Sequence, residues 1–369
     1  MFHILYAFGT IFFNETFSDS DRWTTSYWKG EDSSDFIIGK GSFYADEIKS
    51  NAFMTNESAR FYTSTSSFDA FENSQDSLYV HYTVKHEQVI DCGGGYLKMY
   101  PPLDDLSKVQ GGVSETPYNI MFGPDICGES RKVHFILNYN GTNYENKKKI
   151  ECPRDTFTHM FDFSLMNGGQ YDISIDNISK ASGMIKEDFD FLEPEEINDP
   201  EVKKPNDWID DPEMDDLNDK KPDEWDEIPA QIPDPDASIP EDWNAEDDGE
   251  WEAPLISNPD FKGEWKPRRI SNPDYKGVWN QPKIKNPKFI DDDNMGNYTF
   301  GAIGFEIWQV KAGSAFDSIL VTNDYDEFTT SKSEMLSLIT KEKEAYEEMS
   351  KESKDKELES NSIDLKDEV

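Results

Sequence analysis

The sequence predicts an all-β protein: a sandwich of two antiparallel sheets, interrupted by a proline-rich hairpin arm and followed by one C-terminal helix. Three observations carry this. Short aromatic and β-branched segments alternate with polar residues on both sides of the chain's middle, two sets of proline-tryptophan repeats fill that middle, and after Thr329 the apolar spacing becomes helical.

Met1 to Phe13 is the only long apolar run. It is shorter than the roughly 18 to 20 residues of a spanning helix, so a secretory signal is expected at 1–11, its last residues running into the first strand. From Phe12 to Glu193, segments such as Ser77–Val84 and Lys132–Tyr139 show period-two alternation, separated by turn clusters such as Asn140-Gly141 and Asn167-Gly168-Gly169. Many short strands without intervening helices indicate a sandwich. Gly301 to Thr322 has the same texture, so the body, expected at 12–193 and 294–330, closes only when both flanks are present.

The segment between, 194–293, is repetitive. Ile197, Pro200, Pro205 and Trp208 form a unit that recurs as Met214, Leu217, Pro222, Trp225 and as Ile232, Pro235, Pro240, Trp243. A second unit places Trp251, Trp265 and Trp279, and likewise Pro259, Pro273 and Pro287, at a spacing of 14. Three units of one kind followed by three of another predict a hairpin that turns at Asp247-Asp248-Gly249, the first set pairing along the second. Such an arm has almost no interior. Beyond it, Ser331 and Glu334 suggest a capping box, with Met335, Ile339, Tyr346 and Met349 on one face of a helix over 331–369 that frays into a charged tail.

The formal net charge of -40 repels phosphate, which excludes nucleic acid and anionic membranes and suits cations or basic partners. Much of it lies in the arm, where carboxylates keep a coreless structure soluble and offer oxygen ligands for weak calcium binding. Cysteines number three, with no C-x-x-C pair for zinc.

The arm resembles the proline-rich arm of the calreticulin and calnexin family, the lectin chaperones of the endoplasmic reticulum. Three further segments are similar to the family's signatures and in its order: Lys85 to Tyr96 (KHEQVIDCGGGY), Tyr118 to Gly128 (YNIMFGPDICG) and Gly304 to Lys311 (GFEIWQVK). The similarity covers roughly Phe12 to Phe328, and three repeats of each kind without an anchor resemble the calreticulin branch. The resemblance implies a legume-lectin-like sandwich, a non-enzymatic role, residence in the lumen of the endoplasmic reticulum, and a monomer. The closing Lys366-Asp367-Glu368-Val369 resembles a retrieval signal but ends in valine.

Sugar recognition needs an aromatic face for the ring's C–H side and convergent polar groups for its hydroxyls. Tyr96, Lys98, Tyr118 and Asp125 supply these types, though each alone reads as an ordinary strand residue. The resemblance assigns these four to a monoglucosylated N-glycan on unfolded glycoproteins, with Met121 and Trp308 as apolar contacts. Glu306 stands where the family usually has aspartate. It further implies a disulfide between Cys92 and Cys127 with Cys152 free, and fold-stabilising roles for His86, His134 and His159. A calcium ion is implied at Asp317 with backbone oxygens of Thr16, Lys49 and Asn51. Capture of a protein disulfide isomerase is implied at Glu246, Asp248, Glu250 and Trp251.

Two alternatives stand beside this reading. A luminal calcium-storage protein with a vestigial groove predicts a long, nearly pure acidic tail. Residues 331–369 instead mix 12 acidic with 7 basic residues. A glycoside hydrolase needs two carboxylates across the bond, for which Asp125 and Glu306 are the only pair, and no closely spaced E-x-D-x-E set occurs.

Overall fold

The structure, a computed structural model, describes residues 9–364 apart from Glu241, Ala245, Asp247 and Asp248, with side chains of the last helix described through Lys354. The chain divides into a body built from both flanks and an inserted unit, Pro194–Lys288. Residues 289–293, which the repeat pattern assigns to the arm, belong with the body because their carboxylates are engaged there: Tyr139 donates to Asp292 at 2.7 Å and Lys186 pairs with Asp291.

The first flank forms β1 (Ile11–Glu15), β2 (Thr24–Thr25), β3 (Ser33–Ser34), β4 (Ile37–Gly39), β5 (Ala52–Met54), β6 (Arg60–Glu72), β7 (Leu78–His86), β8 (Cys92–Gly94) and β9 (Leu97–Tyr100). It continues as β10 (Ile120–Cys127), β11 (Ser130–Tyr139), β12 (Thr142–Glu145), β13 (Thr158–Leu165), β14 (Gln170–Ile175), β15 (Ile178–Met184) and the short α1 (Ile185–Asp188). The inserted unit contributes β16 (Glu196–Asn198), β17 (Glu213–Asp215), β18 (Gln231–Pro233), β19 (Leu255–Ser257), β20 (Arg269–Ser271) and β21 (Lys283–Lys285). The second flank adds β22 (Thr299–Gln309), β23 (Ser314–Thr322) and α2 (Tyr325–Asp364).

Sheet A runs β15-β14-β13-β7-β23-β5-β4 with β1 beside β23; sheet B runs β12-β11-β10-β8-β22-β6-β2, with β9 between β10 and β22 and β3 beside β6. Alternation sorts sheet B into two faces. Tyr62, Leu97, Met99, Phe122, Phe135, Phe305 and Ile307 are buried toward sheet A. There Phe305 meets Phe316 at 4.6 Å between ring centroids, and Phe122 meets Phe163 at 5.0 Å. Facing aromatic pairs of this kind add to the area they bury. The opposite face carries the candidate site.

Within the inserted unit the two repeat sets pair in reverse order: β16 with β21, β17 with β20, β18 with β19. The indole N–H of Trp208, Trp225 and Trp243 donates to the carbonyl of Gly277, Gly263 and Gly249 at 2.8, 2.9 and 3.1 Å. Those three glycines all have positive φ, which explains why glycine recurs there.

Helix α2 begins at Tyr325, six residues before the expected start, because Asp324 accepts from the N–H groups of Asp326 and Glu327 at 2.9 and 3.0 Å and caps it. The first turns are too polar to show a helical period. The helix lies on sheet A through buried polar contacts: Lys332 to Asp162 at 2.8 Å, Ser331 to His81 Nε2 at 2.8 Å, and Glu342 accepting from Thr158 N–H and Oγ1 at 2.9 and 2.7 Å. Of the expected apolar stripe, Ile339 is buried, Met335 is half-buried, and Tyr346 and Met349 are exposed. No helix among the described residues is long and apolar enough to cross a membrane.

Candidate saccharide-binding site

The register of sheet B gathers most of the expected groove residues. Lys98 lies opposite Met121 on β10 and opposite Gly304 on β22. Residues two apart share a face, so Tyr96 and Lys98, Met121 and Asp125, and Glu306 and Trp308 all stand on the outer face of the sheet. Tyr118 enters through the segment before β10, packing with Tyr100, Val109, Met121 and Ala302 under partial cover of Tyr96. The hairpin of β10 and β11 brings in His134, opposite Gly123.

Lys98 is almost fully buried, with its ammonium 2.5 Å from Glu115 Oε1 and 2.8 Å from Glu306 Oε2. The same ammonium lies 5.0 Å from the Tyr118 ring centroid and 5.7 Å from that of Tyr96. A buried cation is tolerable only with such partners. Burial, with Glu306 and other carboxylates nearby, raises the Tyr96 hydroxyl pKa, and burial with Glu115 raises that of Tyr118. Both phenols therefore stay protonated, able to donate to and accept from a sugar hydroxyl. Asp125 accepts from His134 Nε2 at 3.2 Å, and His134 Nδ1 faces Glu145 at 2.7 Å. Trp308 packs on Phe61 at 4.6 Å and flanks the row.

Two glycines make room for this arrangement. A Cβ on Gly111 would fall 2.1 Å from Glu306 Oε1, and one on Gly123, at φ +130°, would fall 1.7 Å from the Tyr82 hydroxyl. The disulfide joins Cys92 and Cys127, which lie opposite each other between β8 and β10, and Cys152 is free and buried. Glu115 was invisible in the sequence, since it comes from a loop without periodicity. His134, for which the resemblance implies a fold-stabilising role, also holds Asp125.

Asp317 lies on β23 at a bulge, half-buried, and Ser318 beside it has φ 54°. Its Oδ2 accepts from Ser318 Oγ at 2.9 Å, while Oδ1 has no hydrogen-bond partner among the described residues. Burial pushes its pKa up to about 7. Lys49 lines the same cavity, Thr16 lines a neighbouring one with Ser318, and Asn51 lines neither. One unpaired, buried carboxylate oxygen fits a hard cation that completes its shell with backbone carbonyls. At the arm's end Glu246 and Glu250 are exposed and Trp251 is half-buried; Asp248 lies outside the described residues.

The family model for the calreticulin family matches residues 13–249 and 244–321. The chain belongs to the calreticulin family. It is 47% identical over 87% of its length to the calreticulin of Dictyostelium discoideum, covering 76% of that protein, and 47% identical over 85% of its length to that of Homo sapiens, again covering 76%. Entamoeba histolytica calreticulin is 44% identical over 95% of this chain and 90% of its own. Among solved structures, the globular domain of T. cruzi calreticulin superposes with a TM-score of 0.66 at 29% identity, covering 93% of this chain and 99% of that one. The lectin-like sandwich and the lectin-chaperone class follow from family membership.

Proposed function

We propose that this protein is a non-enzymatic, calcium-binding lectin chaperone of the endoplasmic reticulum lumen. It binds monoglucosylated N-glycans on folding glycoproteins through sheet B and recruits a disulfide isomerase through its arm. The observation that carries the reading is the buried Lys98 ammonium, held between Glu115 and Glu306 in the same row as the protonated phenols of Tyr96 and Tyr118. That row offers rigid donors and acceptors beside aromatic faces, as a pyranose requires. Both candidate hydrolytic carboxylates are engaged, Asp125 by His134 and Glu306 by Lys98, which favours binding over bond cleavage. Calcium at Asp317 is supported by its unpaired oxygen. Isomerase capture is supported by the exposed carboxylates around Trp251.

Titration calorimetry with a glucose-terminated oligomannose tests the lectin assignment. Tyr96→Phe leaves a sugar hydroxyl unpaired, costing about 1 to 3 kcal/mol, so affinity falls at least severalfold. Unchanged affinity in both Tyr96→Phe and Asp125→Asn would sink it.

A further inference from the structure

The chain carries a motif that the saccharide site leaves unused. Asn-x-Ser/Thr occurs five times, at Asn14, Asn56, Asn140, Asn177 and Asn297. An N-linked oligosaccharide is bulky and solvated, so its asparagine must project into water from backbone that the fold does not need for packing. Four of the positions meet this poorly. Asn14 stands in β1 opposite Leu320, and its carbonyl accepts from Arg22 at 3.0 Å. The Asn56 N–H donates to the Tyr62 hydroxyl at 3.1 Å, and Ser58 Oγ accepts from the Ala312 N–H at 3.1 Å. Asn297 leads into β22, where the Tyr298 N–H donates to Asn73 at 2.7 Å and Thr299 Oγ1 to Glu72 at 3.2 Å. At Asn177 the hydroxyl two residues on, that of Ser179, is committed to Asp172 Oδ2 at 2.7 Å.

Asn140 differs from all four. Tyr139 pairs with Thr142, so Asn140 and Gly141 are the two-residue turn between β11 and β12. Their φ values are 51° and 81°, the type I′ geometry that Asn-Gly adopts most readily. Strand β12 is the outermost strand of sheet B, and Asn140, Gly141 and Thr142 are all exposed. A Cβ built on Gly141 would meet nothing within 4 Å, so the space around the turn is open. Among the described residues no side-chain hydrogen bond engages Thr142, which leaves its hydroxyl free to be read together with the asparagine amide. The strands, not the turn residues, hold the hairpin: Asn138 Nδ2 donates to Asn143 Oδ1 at 2.7 Å, and Asn138 Oδ1 accepts from the Gly141 N–H at 3.1 Å. That second bond also opposes the competing chemistry of an Asn-Gly pair. Deamidation needs the glycine nitrogen to attack the asparagine side chain, and here Asn138 engages that nitrogen.

We propose that Asn140 is a modification site, carrying an N-linked oligosaccharide at the tip of the β11–β12 hairpin. The donor is an oligosaccharide joined to a lipid pyrophosphate. Asn140 Nδ2 forms a bond to the anomeric carbon of the reducing-end sugar and gives up one proton. The bond from that carbon to the pyrophosphate oxygen breaks, and the lipid pyrophosphate leaves with the electron pair and the proton. The inference rests on the luminal reading of this protein, and the experiment separates the two. The full chain is expressed behind a proven signal sequence in insect cells, together with Asn140→Gln, Thr142→Ala and Thr142→Ser. Peptide N-glycosidase acting in heavy-oxygen water converts an occupied asparagine to heavy-labelled aspartate, which peptide mass spectrometry locates. The wild type should carry the label at residue 140 and lose a glycan's mass on digestion. Asn140→Gln and Thr142→Ala should lack that glycan, Thr142→Ser should keep it, and all three should retain the wild-type circular dichroism because the turn is exposed. An unlabelled Asn140 overturns the proposal and leaves the luminal reading standing, since the borrowed signal delivers the chain. Label at the other sequons without label at 140 also overturns it. Aspartate at 140 that is already present before digestion and lacks heavy oxygen assigns the turn to deamidation instead. If the chain from its source cells has no glycan and fractionates with the cytosol, while the expressed chain is labelled, the luminal reading falls and the modification in the cell falls with it.

Discussion

Asp317 keeps one buried carboxylate oxygen without a partner among the described residues, and this isolates its contribution to stability. A ligand bound only by the folded state stabilises by mass action. Asp317→Ala should therefore lower the melting temperature of the calcium-loaded protein and change that of the calcium-free protein little. Equal losses with and without calcium in differential scanning calorimetry would indicate a packing role. At this scale the sequence was informative where alternation applies: Tyr96 and Lys98, two residues apart, stand on one face as strand geometry requires. It was silent on Glu115, which reaches Lys98 from a loop. It also gave no sign that Lys98 is buried, since burial of a lysine depends on carboxylates distant in the chain.

The helix and the arm are held by polar contacts more than by broad apolar faces. Helix α2 reaches sheet A partly through His81, whose Nε2 lies 2.8 Å from Ser331. Burial, with Lys332 beside it, lowers the His81 pKa from 6.5 to about 3. The unfolded chain therefore takes up a proton near pH 6.5 that the folded chain refuses. The stability contributed is whole above pH 6.5 and is lost as pH falls toward the folded value. His81→Gln keeps a hydrogen-bonding group but does not titrate. Between pH 6.5 and 4.5 its stability should fall less steeply than that of the wild type, by up to about 1.4 kcal/mol per pH unit in urea unfolding. A parallel pH dependence would mean that His81 protonates freely in the folded state. In the arm, Trp251→Ala removes an aromatic anchor outside the indole-to-glycine bonds of Trp208, Trp225 and Trp243. It should weaken isomerase binding by about 2 kcal/mol or more while leaving the arm's circular dichroism unchanged. Full binding by this variant would place the partner elsewhere. The pairing order of the arm was readable from three units of one kind followed by three of another, but the glycine carbonyl as indole acceptor was not, because an acceptor on the backbone leaves no residue-type signature.

As a whole, the chain divides into two compact units. The inserted unit pairs only with itself, so scanning calorimetry should resolve two transitions, and a fragment of residues 194–288 should reproduce one of them. A single transition, with an unfolded fragment, would show that the units depend on each other. The sandwich was legible because strand texture recurs on both sides of the repeats. Its closure has a further consequence. Strand β22 lies between the β8–β9 segment and β6, and β23 lies between β7 and β5, so each sheet receives an interior strand from beyond the arm. A chain made from its N-terminus must therefore hold two split sheets open while the ribosome adds residues 194–288, roughly 5 to 20 seconds at about 5–20 residues per second. During that interval the edges of β6 and β7 are unpaired, the condition in which strands capture foreign partners. This chain, like the clients proposed for it, passes through biosynthesis with exposed edges that need protection until its last strands emerge.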